Sequence, residues 1–218
     1  MSKKSMKKKT VVAKKQDNSR YFIIGMVVFM VLLFAVMLGS VMKKDSPASS
    51  SSDPNLVKLE QVMSRIATRE ARLKENPDDI SITESLANDY YDAGMINLYE
   101  IGDDKQASFL LEEAVNYYLK VLDKKPKNMN VRVDMATISW RISSDYYEFA
   151  DTHFKKAIAE DPNFLFARTN YGNFLFYALG DYAGAIEQWE AALKLKPSVQ
   201  DIAKLTSQID EAKQLLGN

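Results

Sequence analysis

Three thirteen-residue stretches share one grammar: Ala114 to Pro126 (AVNYYLKVLDKKP), Ala150 to Pro162 (ADTHFKKAIAEDP) and Ala185 to Pro197 (AIEQWEAALKLKP). Each opens on Ala, has an aromatic four residues on (Tyr118, Phe154, Trp189), a small residue after seven (Val121, Ala157, Ala192), then Leu or Ile, and closes on Pro. A unit that repeats in this way cannot bury its apolar face alone, so copies must stack, and the chain reads as a solenoid. Upstream of each block lies a helical pattern with a large residue followed by a small one: Leu86-Ala87, Met135-Ala136 and Tyr171-Gly172. Turn signals separate the paired helices at Gly102-Asp103, Ser144-Asp145 and Gly180-Asp181. Small residues let the two helices approach, the aromatic fills the space between them, and Pro stops the second helix.

This arrangement resembles the tetratricopeptide-repeat family, whose members are arrays of helical hairpins that mostly bind other proteins. The expected fold is therefore all-α: an α-solenoid of tetratricopeptide-like hairpins with a C-terminal capping helix. The chain departs from the family period of about 34 residues, since Pro126 to Pro162 spans 36 and Pro162 to Pro197 spans 35. In the first repeat Gly94 to Gly102 inserts about two extra turns, placed mostly on the first helix.

Residues 21–42 form 22 uncharged, mostly apolar positions, which at about 1.5 Å per residue would reach roughly 33 Å and span a bilayer core. Residues 1–20 carry eight basic residues and one acidic, and 43–54 carry two of each. The basic excess thus precedes the apolar segment, predicting a cytoplasmic tail (1–20), a transmembrane helix (21–42) and an extracytoplasmic domain on a bacterial cytoplasmic membrane. The apolar run is too long for a cleaved signal peptide. Residues 43–54 are Ser-rich and read as a flexible linker with a reach of roughly 18 Å.

Formal neutrality, 29 basic against 29 acidic residues, hides an asymmetry: positions 55–218 hold 19 basic and 26 acidic. Such a domain is repelled by nucleic acid, which is excluded as its partner. Within 55–218 the pattern places a packing helix at 55–75, repeats at about 81–126, 128–162 and 163–197, and a capping helix at 198–216. The paired helices are expected at 81–101 with 104–124, 128–143 with 146–160, and 164–179 with 182–195. Ser81 with Glu84 forms a capping-box start, and Ser198 with Asp201 opens the cap. The cap's stripe of Val199, Ile202, Leu205, Ile209, Ala212 and Leu215 leaves a solvated outer face.

Chemistry is sparse. There is no Cys and one His, so thiol catalysis, cysteine-ligated metal and a histidine-based triad lack their parts, and His153 reads as a surface or rim residue. Acidic pairs such as Asp78-Asp79 and Glu112-Glu113 do not share a helical face, and the glycines form no phosphate-binding cluster. No catalytic residue, cofactor or metal is expected. The resemblance instead implies a binding groove lined by the first helix of each hairpin: Asn88, Tyr91 and Asp92, then Val133, Thr137, Trp140 and Arg141, then Thr169, Asn173, Phe176 and Tyr177. Aromatic and Arg anchors suit a protein or peptide partner, although Trp140 and Phe176 are equally well read as interior. Glu84 stands where chaperone-binding members of the family have a basic residue, so no carboxylate clamp is expected.

The function expected is a membrane-tethered, non-enzymatic adaptor or assembly scaffold. Alternatives are an apocytochrome-holding subunit of cytochrome c maturation and a regulatory subunit of a membrane or cell-wall enzyme complex. Met95, Ile96, Leu98 and Tyr99, read as exposed on the long first hairpin, would also support self-association.

Overall fold

The computed structural model describes residues 53–217, whose regular structure is all helical, with no strand among them. Eight α-helices follow in order: α1 (Pro54–Glu75), α2 (Ile80–Ile96), α3 (Asp104–Lys124), α4 (Met129–Ile142), α5 (Tyr147–Glu160), α6 (Leu165–Phe174), α7 (Tyr182–Lys194) and α8 (Val199–Leu216). The basic tail, the apolar segment 21–42 and nearly all of the Ser-rich linker lie outside the described residues. Among the described residues no helix is long and apolar enough to cross a membrane.

Helices α2 with α3, α4 with α5 and α6 with α7 are the three hairpins, and the small-residue rule explains their closeness. A Cβ added to Gly172 would lie 2.3 Å from the indole Nε1 of Trp189, so the ring sits directly on the glycine. Trp189 is 0% exposed and its Nε1 donates to the Thr169 carbonyl at 3.3 Å. In the first hairpin the same close approach falls at Gly94, whose added Cβ would meet Leu111 at 2.6 Å. The motif aromatics Tyr118 and Phe154 are buried as well.

Helix starts are set by side chains that accept otherwise orphaned backbone N–H groups. Asp79 accepts from Ile82, Asp103 from Gln106, Asn128 from Val131, Asp181 from Gly184 and Ser198 from Asp201. The capping box expected at Ser81 is replaced by this Asp79 cap, because the helix begins a residue earlier at Ile80. Glu84 is thereby released to face Asn128, whose Nδ2 lies 3.4 Å from its Oε2.

Both α2 and α6 run on into a π-helical turn, Asn97–Ile101 and Leu175–Leu179, where the spacing alone predicts uninterrupted α-helix. Each turn ends at a left-handed glycine, Gly102 (φ 80°) and Gly180 (φ 64°). The N–H groups of Gly102 and Asp103 both donate to the Asn97 carbonyl at 2.8 and 2.9 Å, and Asp181 N–H donates to Leu175 in the same way. Only glycine enters that backbone region without a Cβ penalty. In the middle repeat the corresponding residue is Ser144, and the chain takes another route. Helix α4 stops at Ile142, Ser143 is extended (φ −169°, ψ 167°), and a 3-10 turn Ser144–Tyr146 leads into α5.

The insertion in the first hairpin is shared between its limbs rather than lying mostly on the first. From Leu86 to Gly102 is 16 positions against 9 from Tyr171 to Gly180, and from Asp103 to Ala114 is 11 against 4 from Asp181 to Ala185, seven more on each limb than in the third hairpin. Helix α1 packs along this longer surface. Its Arg65 and Arg69, which occupy positions where the repeat would have Ala and an aromatic, pair with the buried Asp89 of α2. Glu70 accepts from the Tyr90 hydroxyl at 2.7 Å and Lys58 meets Glu100 at 2.6 Å. Covered in this way, Ile96 is buried and Met95 packs on the core, so of the four residues expected on an exposed tip only Tyr99 is largely exposed.

Two core clusters result. One joins α1, α2, α3 and the Val131, Met135 and Ile138 side of α4. The other joins Val133 and Ala136 of α4 to α5, α6, α7 and, through Leu205, Ile209 and Ala212, to α8. Val199, Ile202 and Leu215, the remaining members of the α8 stripe, are exposed.

Candidate protein-binding face

The first helices α2, α4 and α6 carry the residues that the repeat pattern nominates, and the fold sorts them into three groups. Val133 (0% exposed) and Phe176 (8%) are core residues and do not line a groove. Val133 packs in the same cluster as Ala167 and Phe174, because α6 lies against α4 on that side. Phe176 is enclosed by the rings of Tyr177, Tyr182 and Trp189, with centroids 4.8, 5.2 and 5.6 Å away.

A second group is engaged within the fold while remaining at least partly accessible. Asn88 accepts from the Tyr118 hydroxyl at 2.7 Å, Asn173 accepts from Gln208 of α8 at 2.9 Å, and Asp92 lies 3.6 Å from Arg65 of α1. The Thr169 carbonyl holds Trp189. The two amides are thus tied to neighbouring helices.

The third group is Tyr91, Thr137, Trp140, Arg141 and Tyr177. The Arg141 guanidinium lies 4.1 Å from the centroid of the Trp140 ring, its Nη1 donates to the Thr137 carbonyl at 2.5 Å, and its Nε donates to the Tyr99 hydroxyl at 3.3 Å. A cation held over an indole face is attracted by the ring quadrupole. Trp140 is half-buried, with its ring 6.2 Å from Phe174, and its Nε1 finds no partner among the described residues. Thr137 is 8% exposed and its hydroxyl is likewise without a partner. Tyr177 is 59% exposed.

Sequence reasoning did not nominate Asp134. It is half-buried on α4, and it makes no hydrogen bond or ion pair with any described residue. Burial, with the nearby Glu84 charge, pushes its carboxyl up to about 6. Tyr91 is raised by burial, opposed by Arg141 and reinforced by Asp134 and Asp92; Tyr118 is raised by burial and then by Asp134. These groups therefore share one electrostatic neighbourhood. The signal for Asp134 was its spacing: positions 134, 137 and 141 are i, i+3 and i+7 on a helix and fall on one face.

His153 lies elsewhere, on α5, half-buried against Phe149 with ring centroids 4.3 Å apart. Arg132, 3% exposed, donates from Nη1 to its Nδ1 at 3.1 Å and from Nη2 to the Pro126 carbonyl at 2.5 Å. The histidine thus sits at the half-buried rim expected of it, with Phe149 and Arg132 packed against the ring. One repeat later Arg168 donates to the Pro162 carbonyl at 2.7 Å, so an Arg six residues after the closing Pro clips each of these repeat junctions. An open cleft of about 440 Å³ between α1 and the end of α2 is lined by Lys58, Val62, Arg65, Met95, Tyr99 and Glu100. Among the described residues no group of His, Asp or Glu is arranged to hold a metal ion.

No protein-family model and no curated protein matches the sequence. Among solved structures, a crystal structure of MamA is 18% identical, with a TM-score of 0.58, over 78% of this chain and 87% of that one. The first tetratricopeptide domain of Spaghetti (RPAP3), bound to an HSP90 peptide, is 20% identical over 61% and 94% at a TM-score of 0.45. YrrB, described as a tetratricopeptide protein with an unusual peptide-binding site, is 15% identical over 70% and 87% at 0.38. The fold of the chain is a tetratricopeptide-like helical solenoid. The described residues share this architecture with MamA and build it from three stacked hairpins of their own.

Proposed function

We propose that the chain is a non-enzymatic adaptor that docks a partner polypeptide on the face of α2, α4 and α6. In this reading residues 21–42 hold it in a bacterial cytoplasmic membrane, with the basic tail in the cytoplasm and the solenoid outside. The observation that carries the docking role is the Trp140 and Arg141 pair: a half-buried indole stacked against a partly exposed guanidinium that has no carboxylate partner among the described residues. Trp and Arg dominate binding energy where they are half-exposed and pre-ordered. The uncharged segment before the solenoid supports the tether, which would raise the local concentration of a partner at the membrane.

Crosslinking of the full chain in membranes, followed by mass spectrometry, identifies the partners. Combined Trp140→Ala, Arg141→Ala and Tyr177→Ala substitutions remove them while Lys204→Ala on α8 does not; retention of every partner by the triple variant overturns the docking role. Protease accessibility in spheroplasts tests the tether, and a solenoid protected from external protease overturns that topology.

A further inference from the structure

The face just described is charged as well as aromatic, and beside Arg141 it carries a carboxylate without a cation partner among the described residues. Asp134 lies half-buried on α4, near enough to Glu84 of α2 for their charges to oppose each other, and the electrostatic neighbourhood they share with Tyr91 and Tyr118 reaches Asp92. Among the described residues the cations nearest this face have other contacts. Arg65 serves Asp89 and Asp92, Lys125 is 4.0 Å from Glu84, and Arg141 is spread over Trp140, Thr137 and Tyr99. Asp134 has no counter-ion among the described residues, and its oxygens are not among the fully enclosed polar atoms, so solvent reaches them. One turn along the same face the enclosed hydroxyl of Thr137, a residue 8% exposed, has no partner among the described residues.

A half-buried carboxylate without a cation or hydrogen-bond donor is unfavourable in the isolated protein. It becomes favourable once a cation arrives, because a charge-assisted hydrogen bond in a partly desolvated site is stronger than one in water. Tyr91, whose phenol feels the Asp134 charge, offers aromatic surface beside the position along which a long alkyl stem can lie. We propose that the α2 and α4 part of this face receives a Lys or Arg side chain of the partner polypeptide, seated on Asp134 with Glu84 beside it. This rests on the docking role proposed above and names the chemistry of its ligand: a cationic segment, opposite in sign to a terminal carboxylate. The acidic excess of the soluble region agrees with that sign.

The test uses the full chain in nanodiscs of neutral lipid and an array of immobilised twelve-residue peptides of varied sequence. Peptides bound through this face are enriched in Lys or Arg at a fixed position, and Asp134→Asn weakens them about tenfold, as does raising the salt to 0.5 M. Asp134→Asn keeps the shape and removes the unpaired charge, so its thermal midpoint holds or rises, which separates lost recognition from lost folding. Peptides that Trp140→Ala weakens but that show no basic enrichment, or that Asp134→Asn leaves unchanged, overturn the cation site and leave the docking role standing. Enrichment in acidic peptides sensitive to Arg141→Ala overturns it in favour of the opposite charge. No peptide sensitive to any of these substitutions overturns both.

Discussion

A guanidinium only donates hydrogen bonds, so the 3.1 Å contact from Arg132 requires His153 Nδ1 to be an acceptor and places the ring proton on Nε2. Protonation would set an imidazolium against Arg132 inside the packed repeat. Burial first, then the Arg132 and Lys156 charges, pushes the ring down to about 4. The folded state thus binds this proton more weakly than the unfolded chain, where the value is near 6.5, and stability falls as pH drops from about 6.5 toward 4. A proton NMR titration of the single histidine should give a midpoint well below 6.5, and His153→Gln should flatten that part of the stability profile. Asp134 acts with the opposite sign. Its folded value is raised to about 6, so its penalty is full above that pH and is relieved as pH falls toward the unfolded value near 4. Asp134→Asn should raise the thermal midpoint at pH 7.5, by an amount corresponding to about 1 kcal/mol after allowance for partial exposure, and the gain should vanish near pH 4. Neither setting was legible in the sequence. The partner of His153 lies 21 positions away, and the spacing that puts Asp134 on the face of Thr137 and Arg141 does not reveal that no described cation reaches it.

At the scale of elements, the repeat grammar read correctly where packing demands one residue type. Gly172 is small because Trp189 lies on it, and both belong to the recurring pattern. Gly172→Val should cost more than about 2 kcal/mol, since overpacking a full core forces side chains off their rotamers, and the Trp emission should shift to the red as the indole is expelled. Gly180→Ala should cost about 1 kcal/mol through its left-handed backbone alone, with no spectral change because no atom crowds that position. The π-helical turns escaped the periodicity because they alter hydrogen-bond registry without changing which residues are apolar. They do have a sequence trace: Leu98-Tyr99 and Phe176-Tyr177 each stand four and three residues before Gly-Asp. The groove assignment failed at Val133 for a related reason. Positions 133, 137 and 140 form one narrow stripe of α4, and what covers its edge is α6, more than thirty residues further on.

For the described solenoid as a whole, helix α4 is the hinge of stability, since opposite sides of it serve the two core clusters. Nearest-neighbour coupling of this kind gives a single cooperative transition while the shared interface is intact. In urea, circular dichroism and Trp189 fluorescence, followed in a Trp140→Phe background, should coincide. Val133→Ala should cost about 2 kcal/mol and draw the two signals apart, with the Trp189 side unfolding first. Stacked hairpins were legible in the sequence because each hairpin contacts its sequence neighbours. The packing of α1 was not fully so, since Arg65 and Arg69 break the apolar pattern in order to meet Asp89.

The lengthening of the first hairpin by seven residues on each limb has a phase as well as a size. Seven positions at about 100° each come within about 20° of two complete revolutions, so the added length returns every side chain close to its former azimuth. Removing seven from both limbs at once would leave a shorter hairpin with its apolar stripes still in mutual view; removing five would rotate the outer part by roughly 140° away from its mate. The inserted segment is therefore a module whose length is quantised by helical pitch.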